Sequence, residues 1–214
     1  MALPFTHDQF LDVFAAFNTA LWPVEAALWL ASVGVILTFY RRGESASRAV
    51  AALLAIHWAW SGVVYHLIYF RTINPAAVLF GSLFIVESIA FAWLGVRKTR
   101  LRFTSASPGW ARIGGALIVY SLVYPIMGSL FGMVFPRLPM FGVPCPTTIL
   151  TVGLLLFASP HAVRWLAVIP VLWAALGGSA AIVFGIRADF GLLVAGLMLT
   201  VFLARPRAAA RVPG

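Results

Sequence analysis

Apolar and polar positions alternate along this chain in long blocks, not in the two-residue rhythm of a strand. Seven apolar runs, 22–40, 49–70, 75–96, 111–134, 146–158, 162–185 and 189–204, are separated by short segments that hold most of the arginines. Runs near 20 residues with almost no charge are what a helix rising 1.5 Å per residue needs to cross a ~30 Å hydrocarbon layer. The pattern predicts an all-α membrane protein, a seven-transmembrane-helix bundle forming one polytopic domain over 1–214. Ahead of the first run, THDQ (Thr6–Gln9) has the form of a capping box, with Thr6 as N-cap and Gln9 at the third helical position. Phe10, Phe14, Phe17 and Leu21 follow at helical spacing, opposed by Asp8, Asp12 and Asn18. This predicts an N-terminal amphipathic helix over 6–20 lying at an interface, with Trp22-Pro23 turning the chain into the first span.

Composition agrees with the pattern. Hydrophobic residues make up 62% of the 214, charged residues only 10%, and mean hydropathy is +0.98. A soluble domain of this length needs more polar surface to cover its core. A net charge of +9 is compatible with nucleic acid. The basic residues nevertheless sit in short loops between apolar runs, so the lipid bilayer, not nucleic acid, is the expected partner. No lysine or arginine precedes Arg41, so no secretory signal is expected. With seven crossings and the N-terminus outside, the inner side receives Arg41, Arg42, Arg48, Arg97, Lys98, Arg100, Arg102, Arg112, Arg164, Arg205, Arg207 and Arg211. The outer side receives Arg71, Arg137 and Arg187, a split of 12 to 3. If the short fifth run dips in and returns, the split becomes 9 to 6. The excess of positive charge on inner loops therefore favours N-out, C-in, with 205–214 as a basic cytoplasmic tail.

The stretch FPRLPMFGVPCPTT, 135–148, is apolar yet broken by four prolines. The run after it is too short to cross alone. Irregular backbone at membrane depth survives only when buried in protein or lining a wet cavity. The proline-broken segment before helix five is therefore expected to fold back into the outer half of the bundle. It would deliver Cys145, Pro146, Thr147 and Thr148 as a helix start, with Cys145 as N-cap and Pro146 in the first helical position. Such a start offers free amide N–H groups to an anion or dipole and favours a thiolate. The plainer alternative is a tight external loop whose cysteine is a small apolar filler.

Ionisable residues inside spans are costly, about 2.5–3.5 kcal/mol at mid-depth on insertion scales. His57 and Glu87 fall at similar depth in spans two and three, joined by the short turn Arg71–Asn74. They form a candidate intramembrane polar pair, either a proton relay or a structural hydrogen bond between helices. A second layer nearer the outer face holds Glu25, His66 and Cys145, with Arg71 and Asn74, and Arg137, Arg187 and Asp189 in nearby loops. Convergence of this layer on one outward-facing cavity gives the ligand-binding candidates Cys145, Thr147, Thr148, His66, Glu25, Asn74 and Arg71. His57 and His66 are nine residues apart, so on one α-helix they face opposite ways and share no metal. Trp58, Trp60, Tyr65, Phe80, Phe84, Phe91 and Trp93 interleave with these positions, as core packing or as the wall of an apolar pocket. Gly177, Ala181 and Gly185 form a small-residue face suited to close helix contact within the protomer, in a homo-oligomer, or with another membrane protein. A lone cysteine excludes a multi-thiolate metal cage, and the single lysine, Lys98, lies in a loop, where no retinal Schiff base forms in a span. No metal or cofactor is predicted.

Four stretches together carry a resemblance: PFTHDQFLDVFAAFNTALWP (4–23), WAWSGVVYHLIYFRTINPAAVLFG (58–81), FGVPCPTT (141–148), and GGSAA with DFGLLVAG (177–196). The chain resembles an uncharacterised bacterial integral-membrane family, a domain of unknown function whose members have about this length and a CPTT motif. The resemblance implies the bacterial cytoplasmic membrane and transfers no activity. The leading expectation is a small-molecule or ion transporter, or a binding protein of that kind, with its site in the outer half. Two alternatives stand beside it. One is a redox or proton-coupled membrane enzyme using Cys145 and His66 or His57 and Glu87. The other is a structural or assembly partner of another membrane protein.

Overall fold

The computed structural model describes residues 4–39, 43–103 and 106–205, and these are helical with no strand among them. Arg41, Arg42, Arg207 and Arg211 of the charge count, and the tail after Arg205, lie outside the described residues. The helices are α1 (His7–Phe39), α2 (Glu44–Trp60), α3 (Ala77–Phe91), α4 (Pro108–Leu122), α5 (Tyr124–Leu130), α6 (Pro144–Leu155), α7 (Pro160–Val163), α8 (Val168–Phe184) and α9 (Phe190–Leu203). A π-helical stretch, Ser61–Tyr69, extends α2, and another, Ala92–Arg97, extends α3. Three of the resulting rods, His7–Phe39, Glu44–Thr72 and Ala77–Arg97, are long and apolar enough to cross a membrane. A fourth is reached if α4 and α5, bent by 68° at their junction, are counted as one span.

The first helix corrects an expectation. The capping box forms: Thr6 N–H donates to Gln9 Oε1 at 2.8 Å and Gln9 N–H to Thr6 Oγ1 at 3.2 Å. The helix it starts does not turn at Trp22-Pro23 but runs through Pro23 to Phe39. Its buried positions, Phe10, Val13, Phe14, Phe17, Asn18, Glu25, Leu28 and Ser32, lie on one stripe that continues past the proline. The apolar face assigned to an interfacial helix thus packs on protein. Phe10 and Phe14 meet Phe70, Phe184 and Tyr65. The opposite face, including Leu30 and Leu37, stays exposed, as a lipid-facing surface requires.

The run 111–134 is likewise divided. Pro125 in the first turn of α5 has no N–H to continue the α4 ladder, so the helix ends at Leu122 and restarts in a new direction. The following segment carries a cis Phe135-Pro136 bond and lies against α1. Asn18 Nδ2 donates to the carbonyls of Pro136 and Leu138, both at 2.7 Å. Arg137 pairs with Asp12 at 2.5 Å and Asp8 at 3.5 Å. Ser61 Oγ then donates to Gly142 O at 2.8 Å. Leu138, Phe141 and Val143 are buried, so this proline-rich segment packs within the helices.

It leads into α6, where every residue except half-buried Cys145 is buried. α6 is enclosed by α2 and its π extension, α4, α8 and α9. Enclosure depends on small residues. A Cβ on Gly114 of α4 would stand 2.7 Å from Gly153 O, and one on Gly153 2.9 Å from Gly114 O. The two backbones therefore touch, as in close membrane helix pairs. Polar groups on α6 are satisfied locally: Thr151 Oγ1 accepts from Trp58 Nε1 at 2.9 Å and donates to Thr147 O at 2.8 Å. The α6 start differs from expectation by two positions. Val143 is the N-cap and Pro144 opens the helix, so Cys145 lies inside the first turn.

The Gly114–Gly153 contact yields a direct check. Gly153→Ala forces a methyl against Gly114 O and Ile118, and is expected to cost about 1–3 kcal/mol by overpacking, read as a lower melting temperature in detergent. Gly115→Ala, whose Cβ meets nothing within 4 Å, is expected to leave the melting temperature unchanged or slightly raised, since alanine is the better helix former.

Candidate functional site

Beside the start of α6 lies a cavity of about 220 Å³. Phe10 and Phe14 of α1, Tyr65 and Phe70 at the end of the second rod, Phe80 of α3, and Trp173 and Phe184 of α8 line it. These rings brace one another: Phe10 stacks on Phe184 at 4.8 Å and meets Phe14 edge-on at 5.0 Å, and Phe80 meets Trp173 at 5.6 Å. Gly177, Ala180 and Ala181 leave room on the α8 side. The chamber is an aromatic box built from four separate stretches of chain.

Its polar wall comes from three connections. Cys145, in the first turn of α6, lies beside Asp189 and Trp173. Asp189 is buried at 5% exposure, and its carboxylate accepts a hydrogen bond from Tyr124 Oη. Gly185 ends α8 in the left-handed region, φ +66°, with Ile186 N–H returning to Ala181 O at 3.0 Å. This reversal favours glycine. The 3₁₀ turn Arg187–Asp189 then places Asp189 inward and leaves Arg187 exposed. Tyr120 Oη fixes the turn by donating to Ala188 O at 2.7 Å. Asn74 completes the wall, oriented by its own turn in which Oδ1 accepts from Ala76 N–H at 3.0 Å.

The expected outer layer is therefore only partly brought together. Cys145 and Asn74 line the cavity; the other candidates do not. His66 is fully buried among Tyr65, Phe70, Phe80, Phe84 and Trp173, and neither ring nitrogen has a partner. The Trp173 ring, 5.0 Å from it, belongs to the cavity wall that His66 does not reach. Glu25 opens onto a different groove, between α1 and the α4–α5 bend. Arg71 is exposed and takes no part in the chamber. Thr147 and Thr148 are spent inside the packing, Thr147 Oγ1 on Ser61 Oγ at 3.2 Å and Thr148 Oγ1 on Pro144 O at 2.9 Å.

The His57–Glu87 pair is not formed. His57 Nε2 meets Ser32 Oγ of α1 at 2.9 Å, while Glu87 is buried on α3 with Oε1 unpartnered. Trp58 decides this. It turns its indole to Phe84 of α3, ring centroids 4.3 Å apart, and to Thr151 of α6. Its neighbour His57, about 100° around the helix, is thereby directed at α1 and Phe141. The small-residue face of α8 is also used internally. A Cβ on Gly177 would stand 2.9 Å from Leu192 of α9, Ala181 is buried, and Gly185 is the helix cap. Gly177 and Ala181 are thus occupied by packing within the chain, while Gly185 stays exposed.

The residues that complete the site, Tyr124 and Trp173, carry no sequence signal beyond being aromatic. Asp189 gave one, an acid at the edge of an apolar run. Fold and site together define a helical membrane protein with an aromatic chamber bearing one carboxyl and one thiol. A family model covers residues 7–212, and the chain belongs to that family, DUF6064, a family of unknown function. The resemblance read from the CPTT-containing motifs is thus borne out. No curated protein and no solved structure matches the chain.

Cys145 reports on the chamber. A small methanethiosulfonate reagent is expected to modify it slowly in the folded protein, and Phe184→Ala, which removes one wall, to accelerate modification several-fold. Equal rates in the two proteins, followed by intact mass, would show that Phe184 does not control access.

Proposed function

We propose that this protein is a membrane-embedded binding protein or carrier for a small, mainly apolar molecule with one polar tip. The observation that carries this reading is the aromatic chamber with Asp189, Cys145 and Asn74 on one wall. Ligand sites are typically apolar concavities with a few convergent polar groups, and span ~300–1,000 Å³ for drug-sized molecules. A chamber of about 220 Å³ takes something smaller. Its apolar lining lowers the local dielectric, which strengthens any hydrogen bond to the Asp189 carboxyl or the Cys145 thiol.

The reading includes seven crossings, N-out and C-in, in a bacterial cytoplasmic membrane. The 12 to 3 division of basic residues supports the topology. On that topology Asn74, Cys145 and Asp189 all come from outer-side connections, so the polar wall faces the outer half. A short helix started at depth by a broken segment is a device that transporters use to hold substrates. Enzyme chemistry through Cys145 with His66 has less support, because His66 does not share the chamber.

The test is small-molecule mass spectrometry of extracts from protein purified in mild detergent. The wild type is expected to carry a bound compound. Ala180→Phe, which fills the chamber, and Asp189→Asn, which removes its charge, should each lower recovery about tenfold, equivalent to ~1.4 kcal/mol. A compound retained equally by both variants, or none enriched in the wild type, rejects the site. Flux of that compound in proteoliposomes then separates a carrier from a binder.

A further inference from the structure

A second concavity, separate from the aromatic chamber, has a chemistry of its own. It is a groove of about 840 Å³ between α1 and the place where α4 breaks into α5, closed on one side by the segment 135–141. Its rim is apolar and outward-facing: Trp22, Leu30, Ile126 and Phe135 are all at least half exposed. Glu25 lines the groove, 1% exposed, and neither carboxylate oxygen has a hydrogen-bond partner among the described residues. The basic residue of the adjoining segment, Arg137, is turned to Asp12 and Asp8 instead. Trp29, which also lines the groove, uses its indole N–H on Leu122 O at 2.9 Å and has none to offer Glu25.

An unpaired buried carboxylate costs several kcal/mol, and among the described residues none supplies a counter-charge. A complement can enter from outside, along the exposed apolar rim of the groove. An occupant that satisfies both oxygens must bring several N–H donors and positive charge, as a primary ammonium does. Tryptophan and phenylalanine rings around the mouth favour the same cation through their π faces. Apolar chains attached to that head would lie along the exposed rim, where lipid is in any case the solvent. We propose that this groove is a binding site for the primary-ammonium head group of a membrane phospholipid, with Glu25 as its carboxylate partner.

The experiment uses the full-length chain in nanodiscs made separately from dioleoyl phosphatidylethanolamine, phosphatidylcholine and phosphatidylglycerol mixtures, with retained lipid counted by native mass spectrometry. The expected result is retention of phosphatidylethanolamine over each of the others by about tenfold. Glu25→Gln should abolish that preference while keeping wild-type helicity by circular dichroism. Ile126→Trp, which fills the groove without touching Glu25, provides a second variant and should lower retention of the same lipid. Free ethanolamine should not displace it, since the chains contribute to binding. Equal retention of the three lipids, an unchanged preference in Glu25→Gln, or displacement by ethanolamine alone would overturn the assignment.

Discussion

Everything in this fold is arranged around contact between two backbones. Gly114 and Gly153 let α4 and α6 approach until carbonyl oxygen meets Cα, and this allows so short a helix to be wrapped on all sides. A membrane offers helices no hydrophobic incentive to associate, because lipid is as apolar as leucine; close packing and hydrogen bonds have to supply it. α6 uses both. Its threonines tie into Trp58 and Ser61 of the second rod, and its glycine admits α4. The helix becomes a central post against which the longer rods lean.

That arrangement also explains why the two concavities are separate. The segment that feeds α6 is fixed to α1 by Asn18 and to the second rod by Ser61, and it presents Phe141 to the groove and Val143 to the chamber. On one side is the aromatic chamber, its polar wall assembled from three connections. On the other is the lateral groove left where Pro125 turns α5 away from α4. A buried acid faces each, and their settings differ. Asp189 has a tyrosine donor, while Glu25 has none.

Much of this was legible in the residues. Periodicity of apolar blocks gives helices throughout, the capping box starts α1 where Thr6 and Gln9 predict, and a proline-rich apolar stretch must hide its backbone among helices. Each follows from local chemistry: helical spacing, the reach of a short side chain, and the cost of unpaired amides in oil. Pairings between distant residues were not legible. Counting along the spans puts His57 and Glu87 at matching depths, yet one step around the helix decides whether a side chain looks at α3 or α1, and Trp58 claims the first direction. His66 and Glu25 were counted to the level of Cys145, yet neither lines its chamber.

The amino-acid sequence by itself determined the helical class, the membrane setting and the inward fold of residues 135–145, because those depend on composition and short-range periodicity. Only the tertiary structure decided that α1 continues through Pro23, that Cys145 meets Asp189 and Trp173, and that Glu25 stands alone. Depth along a helix can be counted from a string of letters. Azimuth, which sets who faces whom, is settled by side chains competing for the same space across hundreds of cubic ångströms of packed interior.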